Sequence, residues 1–353
     1  MNQPSFLLYG ANGYTGQLII PNAIKKGLSV ILAGRTESKI KPLAEQYNLP
    51  YRVFGLDNAK AVQEHIKDVK VVLHCAGPFA YTAKPMMEAC IEMGVHYLDI
   101  TGEIAVFEQA HDFDAVAKAK GVMVMSGTGF DVVPTDCMSA FLKKQMPDAT
   151  HLELAFAYKG GGISRGTAIT SIEGLGEAGK IRKNGVITDV PVAHKIKEIK
   201  FGDEFRSTGV TIPWGDVSTA FYTTGIPNIE VFLGMKASQV KNIKRSRNLG
   251  WLLKWRPIKN FLIKKIKQRP AGPDENRRET GVSFVRGEVT NKAGKKISAY
   301  LKTPEGYKLT VFMALHITEK VLNDNFKTGF QTPALAYGAD LILEMDGVKR
   351  NLE

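Results

Sequence analysis

Three glycines open the chemistry of this sequence. Gly10-Ala-Asn12-Gly13-Tyr14-Thr15-Gly16 follows directly on the apolar run Phe6 to Tyr9 and leads into a helical pattern. At such a junction the first glycine permits a tight turn, the second lets backbone approach a pyrophosphate, and the third lets helix and sheet pack closely. The free N–H groups and positive dipole end of the helix then hold the phosphate oxygens. In a chain with 34 glycines this spacing arises by chance ~0.3 times, so its position after the first strand gives it weight. At the end of the second strand candidate, an NAD site places Asp or Glu on the ribose hydroxyls. Here the residues are Gly34-Arg35-Thr36, followed by Lys39. A cation pairs with a 2′-phosphate, and Arg can also stack on adenine. NADP(H) is the cofactor these residues favour.

In an open α/β sheet the reacting groups come from loops at the strand C-termini. One such loop, Cys75-Ala76-Gly77-Pro78-Phe79, can bring backbone to the dinucleotide, and Tyr81 beyond it is either a proton-donating phenol or a packing aromatic. Asp99 and Glu103 in the next loop either form an acid pair at the substrate, or Thr101 or Asp99 caps the helix starting near Ile104 and Glu103 suits its positive first turn. Asp131 faces substrate or begins the following helix. The glycine-rich loop Gly160 to Thr167 either closes over an acyl chain, with Thr167 at the substrate, or merely turns, and its Arg165 suits a phosphate or carboxylate or is solvated. Cys75, at the end of an apolar strand, reads as a buried inert thiol. Three cysteines without CxxC and seven histidines without close pairing give no reason to expect a metal site.

The elements that must position these residues alternate. Strand candidates 6–9, 29–32, 51–54, 69–74, 95–98 and 122–125 are separated by helix candidates near 14–26, 38–46, 58–67, 82–93 and 104–119, the rhythm of a parallel sheet with helical crossovers. After Pro134 the rhythm changes to longer strands, including a hairpin of 282–290 with 296–303, and a helix over 306–323. The reading is α/β: a Rossmann-type domain over 1–133, a second α+β substrate or dimerisation domain over 134–325, and a C-terminal helix within 326–353 that packs back on the first. Its expected span is Gln331 to Met345.

The chain has 353 residues, 44% of them hydrophobic, and a net charge of +12. Residues 231–273 hold twelve Lys or Arg and no Asp or Glu, while the remainder balances 35 basic with 35 acidic residues. A neutral body with one basic arm points to one surface that meets something anionic. After Trp251 and Trp255, the spacing places Ile258, Phe261, Leu262 and Ile266 on one helical face with lysines elsewhere, the composition of an interfacial helix. The arm, 236–269, is expected to meet an anionic membrane surface or an acyl carrier protein. Nucleic acid is not expected, because no binding fold accompanies the charge. No apolar run reaches spanning length, and the expected location is cytoplasmic, with the arm able to hold the chain at the inner membrane surface.

Taken together, Gly10 to Gly16, Ala33-Gly-Arg35, Cys75 to Phe79, Tyr97 to Glu103 and Gly129 to Asp136 resemble the saccharopine dehydrogenase-like oxidoreductases. Gly161 to Thr167, Gly272-Pro-Asp274 and Gly329 to Ala334 extend the likeness toward the trans-acting enoyl reductases. The resemblance implies hydride transfer from NADPH to an activated double bond of an apolar or carrier-bound acyl substrate in lipid metabolism, and a mixed sheet able to support a homodimer. Imine reduction of the saccharopine type, and a non-catalytic dinucleotide-binding protein at a membrane surface, are the alternatives.

Overall fold

A computed structural model describes residues 5–246 and 250–353. Arg247 of the basic arm lies outside the described residues, as do the side chains of Lys244, Arg245 and Trp251. The chain divides into two compact units, one running to Asp131 and including Leu309–Ala336, the other comprising Val132–Lys308 and Tyr337–Glu353.

The first unit alternates as the sequence predicts: β1 (Phe6–Tyr9), α1 (Tyr14–Lys25), β2 (Val30–Gly34), α2 (Glu37–Tyr47), β3 (Tyr51–Val53), α3 (Ala59–Ile66), β4 (Val71–His74), α4 (Phe79–Met93), β5 (His96–Asp99), α5 (Ile104–Asp112), α6 (Asp114–Ala119) and β6 (Met123–Met125). Phe113 breaks the expected 104–119 helix in two. Every residue of β1, β2, β4, β5 and β6 is buried. That is why these strands read as continuous apolar runs rather than alternating ones: helices cover both faces of a parallel sheet. Phe6, Leu7, Leu8, Ile19, Ile20 and Leu32 are fully buried at its centre, each contributing about 1.5–3 kcal/mol.

The second unit begins with α7 (Val133–Gln145), β7 (Ala149–Lys159), α8 (Arg165–Glu173), β8 (Gly179–Lys183), β9 (Val186–Val190), β10 (Ile196–Phe201), β11 (Phe205–Thr211), α9 (Asp216–Thr224) and β12 (Asn228–Met235). It continues with α10 (Ala237–Ser246), α11 (Gly250–Leu253), α12 (Arg256–Lys267), α13 (Glu275–Thr280), β13 (Val282–Asn291) and β14 (Lys296–Pro304). Its strands make a mixed sheet in which β12 runs parallel to β7 while β13 and β14 pair antiparallel as the hairpin predicts. One face carries Ala155, Ile199, Phe201, Phe232 and Phe284. On the other, a Cβ at Gly287 would meet Leu142 and Met138 of α7 within 2.7 Å, so this helix lies directly on the strands.

The chain then returns through α14 (Gly306–Leu322), β15 (Gly329–Phe330), α15 (Pro333–Tyr337) and β16 (Lys349–Leu352). From Leu309 onward α14 belongs to the first unit. β15 adds to β6, giving among the described residues the parallel order β15-β6-β5-β4-β1-β2-β3, whose direction reverses between β1 and β4. The expected helix over 331–345 is therefore corrected. Pro333 starts a helix of five residues, Gly338 at φ +86° turns the chain away, a 3-10 turn follows at Leu341–Glu344, and β16 joins β14 in the second sheet. The C-terminal part contributes Leu309–Ala336 to the first unit: α14 from Leu309, β15 and most of α15.

Candidate functional site

The glycine loop is shaped by what crowds it. Gly10 sits at φ +85°, and a Cβ there would lie 2.8 Å from the Ala76 nitrogen and 2.9 Å from its Cβ. The first glycine thus serves both the left-handed turn and the close approach of the loop after β4. A Cβ at Gly16 would strike the Gly10 carbonyl oxygen at 2.6 Å, which fixes how tightly α1 seats on the turn. Gly13 is the extended N-cap of α1 and no side chain caps this end. The residues fit a pyrophosphate, which would lie over Gly13, Tyr14 and Thr15 at the helix N-terminus. Asn12 places its Oδ1 3.3 Å from where a Gly34 Cβ would be, joining the loop to the end of β2. There Arg35 is exposed, Thr36 is the N-cap residue of α2, and Lys39 is exposed in that helix's first turn. Arg35 also bears on Tyr9, whose hydroxyl donates to the Phe54 carbonyl; burial pushes that phenol up to about 12.

The loop after β4 is held from below by a histidine that sequence reasoning passed over. His74 is fully buried among Tyr9, Phe79 and Tyr97, and its Nε2 lies 3.0 Å from Thr82 Oγ1. That hydroxyl donates to the Ala76 carbonyl at 2.7 Å, so Nε2–H is the donor to Thr82. Nδ1 is left as a buried acceptor without a partner among the described residues. Burial pushes His74 down to about 3 and keeps the ring neutral. Its only signal in the sequence is a polar residue ending a buried strand.

Several of the expected acid roles are corrected. Asp99 is fully buried and accepts from Thr101 N, Gly127 N, Ser126 Oγ and Tyr97 Oη at 2.8–2.9 Å. It ties the loop after β6 to the end of β5 and cannot face substrate. Burial raises it to about 6, against the four donors. Glu103 does cap a helix, but not its own: its carboxylate accepts from Phe79 N at 2.9 Å and Ala80 N at 2.8 Å, at the start of α4. These long-range bonds lock the loop after β5 to the loop after β4. Pro78, the residue before α4, follows Gly77 in a cis peptide. Tyr81, in the first turn of α4, is 61% exposed. Burial, with Asp99 nearby, pushes the Cys75 thiol up, so it stays protonated and inert.

Asp131 stands apart. It ends the loop after β6, and a Cβ at Gly102 would lie 3.1 Å from its Oδ2. The loop is held by α14, where Thr310 Oγ1 accepts from Phe130 N at 3.0 Å and a Cβ at Gly129 would meet Thr310 within 2.7 Å. The side chain is part-buried, and among the described residues no hydrogen bond or ion pair reaches its carboxyl. Burial pushes it up to about 7. From Arg35 to Asp131 the C-terminal edge of the sheet therefore forms one contiguous rim across β2, β1, β4, β5 and β6, with neighbouring strands about 4.8 Å apart.

In the second unit the protein engages Thr167 closely, and Arg165 through one backbone carbonyl while it stays exposed. Ser164 caps α8 by accepting from Thr167 N at 3.1 Å, and Tyr307 Oη lies 3.0 Å from the Thr167 hydroxyl while accepting from Ser164 N. Arg165 Nη1 donates to the Lys267 carbonyl at 3.2 Å.

The saccharopine dehydrogenase NADP-binding domain matches residues 6–125. The saccharopine dehydrogenase-like oxidoreductase of Mus musculus is 27% identical over 202 residues, 50% of this chain and 47% of that protein. The trans-acting enoyl reductase of Mycobacterium ulcerans is 27% identical over 140 residues, 37% of this chain and 33% of that protein. The chain thus spans about half the length, or less, of these relatives. Apo saccharopine dehydrogenase (L-Glu forming) from Saccharomyces cerevisiae has the same fold, with a TM-score of 0.69, 12% identity, and coverage of 99% of this chain and 100% of that one.

Proposed function

We propose that this chain, whose residues 6–125 are a saccharopine dehydrogenase NADP-binding domain, is an NADPH-dependent oxidoreductase that reduces an activated carbon–carbon double bond of an apolar acyl substrate. The observation that carries the reading is Asp131: a carboxyl on the cofactor rim, with no protein partner among the described residues, that holds its proton to about pH 7. Bound NADPH supplies a hydride to one carbon of the double bond. Asp131 gives its proton to the other carbon, so that a C=C bond becomes CH–CH and the carboxylate regains a proton from solvent. Arg35 and Lys39 pair with the 2′-phosphate, the N-terminus of α1 holds the pyrophosphate, and Ala76–Phe79, braced by Glu103 and by His74 through Thr82, forms the wall beside the reacting end.

Three arginines of the second unit support an enoyl substrate over an imine. Imine reduction of the saccharopine type handles amino-acid carboxylates, which arginine forks bind. Arg182 is buried and donates to the Val217 and Gly185 carbonyls, Arg286 meets Glu288 and Glu353, and Arg350 meets Asp340. The protein's own groups engage all three. The likeness to a trans-acting enoyl reductase supports the same choice. NADPH oxidation measured on a panel of 2-enoyl thioesters, beside glutamate paired with an aldehyde, tests it. Turnover of enoyl thioesters is expected; turnover of the amine–aldehyde pair alone would replace this reading with the imine one.

A further inference from the structure

We propose that the outer face of α12, with Trp255 before it and the tip of the loop before α8, is a docking surface for an anionic lipid bilayer. α12 has two faces. Inward, Ile258, Leu262 and Ile266 recur every fourth residue and are part-buried, and Lys259 is buried with its Nζ donating to the Glu173 carbonyl. Arg256 meets the Glu173 carboxylate at 2.9 Å and Lys254 meets Glu177 at 3.4 Å. These contacts fix α12 against α8 of the same unit. Outward, Phe261 leaves the apolar stripe in which the sequence places it and is 58% exposed, and Trp255, the N-cap of α12, is 60% exposed. Ile163, in the loop before α8, is 61% exposed. Its loop is pinned to the far end of α12, where Arg165 donates from its backbone N to the Ala271 carbonyl and from its side chain to that of Lys267.

Cations interleave with these apolar groups. Lys264, Lys265, Lys267 and Arg269 are exposed, and among the described residues none of them meets a carboxylate. Lys265 Nζ lies 4.7 Å from the Phe261 ring centre. Residues 231–273 contain no Asp or Glu to screen them. One partner relieves both the crowded positive charge and the apolar groups held in water: anionic headgroups over an acyl layer. An acidic carrier protein answers the charge alone, whereas Trp255 at the N-cap of α12, Phe261 within this helix of about 18 Å and Ile163 in the loop tied to its C-terminal end are separate exposed groups. A fluid interface accepts apolar groups anywhere along it. Among the described residues no helix is long and apolar enough to cross a bilayer, so the contact made by this surface is peripheral.

The test is co-sedimentation of the full chain with phosphatidylcholine vesicles, with and without phosphatidylglycerol, at low and high salt, with NADPH binding as the control for folding. Retention on the anionic vesicles that weakens with salt is expected. Each engaged cation is worth about fivefold in partitioning, so replacing Lys264, Lys265, Lys267 and Arg269 by Gln should lower it at least ~10-fold even if only two are engaged. Trp255→Ser with Phe261→Ser should remove the salt-resistant part. The proposal is overturned if anionic vesicles retain nothing at low salt, if either variant binds as the wild type does, or if an acyl carrier protein column retains the chain while vesicles do not.

Discussion

Replacing Asp131 by Asn keeps the shape of the side chain and removes its acidic proton, which makes it the most informative single change in the site. The unfolded carboxyl titrates near 3.8 and the folded one at about 7. In full, that difference is worth about 4 kcal/mol, and the partial exposure of the side chain screens it to about 2 kcal/mol. The folded value lies above the unfolded one, so the folded state keeps its proton longer. The penalty for ionising is absent below about pH 4, grows with pH, and is complete above about pH 7. Asp131→Asn should therefore stabilise the chain by about 2 kcal/mol near pH 8.5 and by less than half of that near pH 5, as read from urea unfolding at both values. Turnover should fall roughly 10²- to 10⁴-fold with NADPH affinity unchanged. Wild-type turnover should decline as pH rises through about 7, where the acid form disappears. A variant that loses the same stability at both pH values and keeps its turnover would refute both the burial of this carboxyl and its role.

Arg35→Asp should weaken NADPH by about 1.5–3 kcal/mol in a calorimetric titration while NADH changes little; equal losses for both cofactors would place the phosphate elsewhere. Glu103→Ala should cost about 1–2 kcal/mol of stability, because two backbone donors at the start of α4 lose their acceptor. Thr82→Val leaves the His74 Nε2–H buried without an acceptor, at a cost of about 1–3 kcal/mol. It should also raise the dissociation constant for NADPH, because the Ala76 carbonyl loses its donor. Unchanged cofactor binding in that variant would reduce His74 to a core residue.

The cofactor half of the site was legible because it is written locally. Gly10, Gly13 and Gly16 act through backbone shape, within one βαβ unit whose strands show as apolar runs. The roles of Asp99 and Glu103 were hidden because their partners, Gly127 and Phe79, lie more than twenty residues away, and either carboxyl would serve equally well as a local cap. His74 gave no signal, since a histidine ending a buried strand looks like any other core residue until Thr82 and Ala76 are beside it. The C-terminal part misled for a related reason. Pro333 and the apolar residues after it fit a helix, but Gly338 turns the chain and β14 offers a partner strand that only the fold reveals. α14 was read into the second domain because its tie to Phe130 spans 180 residues.

The most direct test of an NADPH-dependent enoyl reduction with Asp131 as proton donor is to follow the two hydrogens separately. Deuterium carried on the nicotinamide C4 of NADPH should appear as a single label on the saturated product of a 2-enoyl thioester. In D2O with unlabelled NADPH, the label should appear instead at the neighbouring carbon, and Asp131→Asn should bind NADPH normally yet form that product at least ~100-fold more slowly. A chain that binds NADPH but transfers no label to any enoyl thioester, while labelling the product of an amine–aldehyde pair, would contradict the assignment.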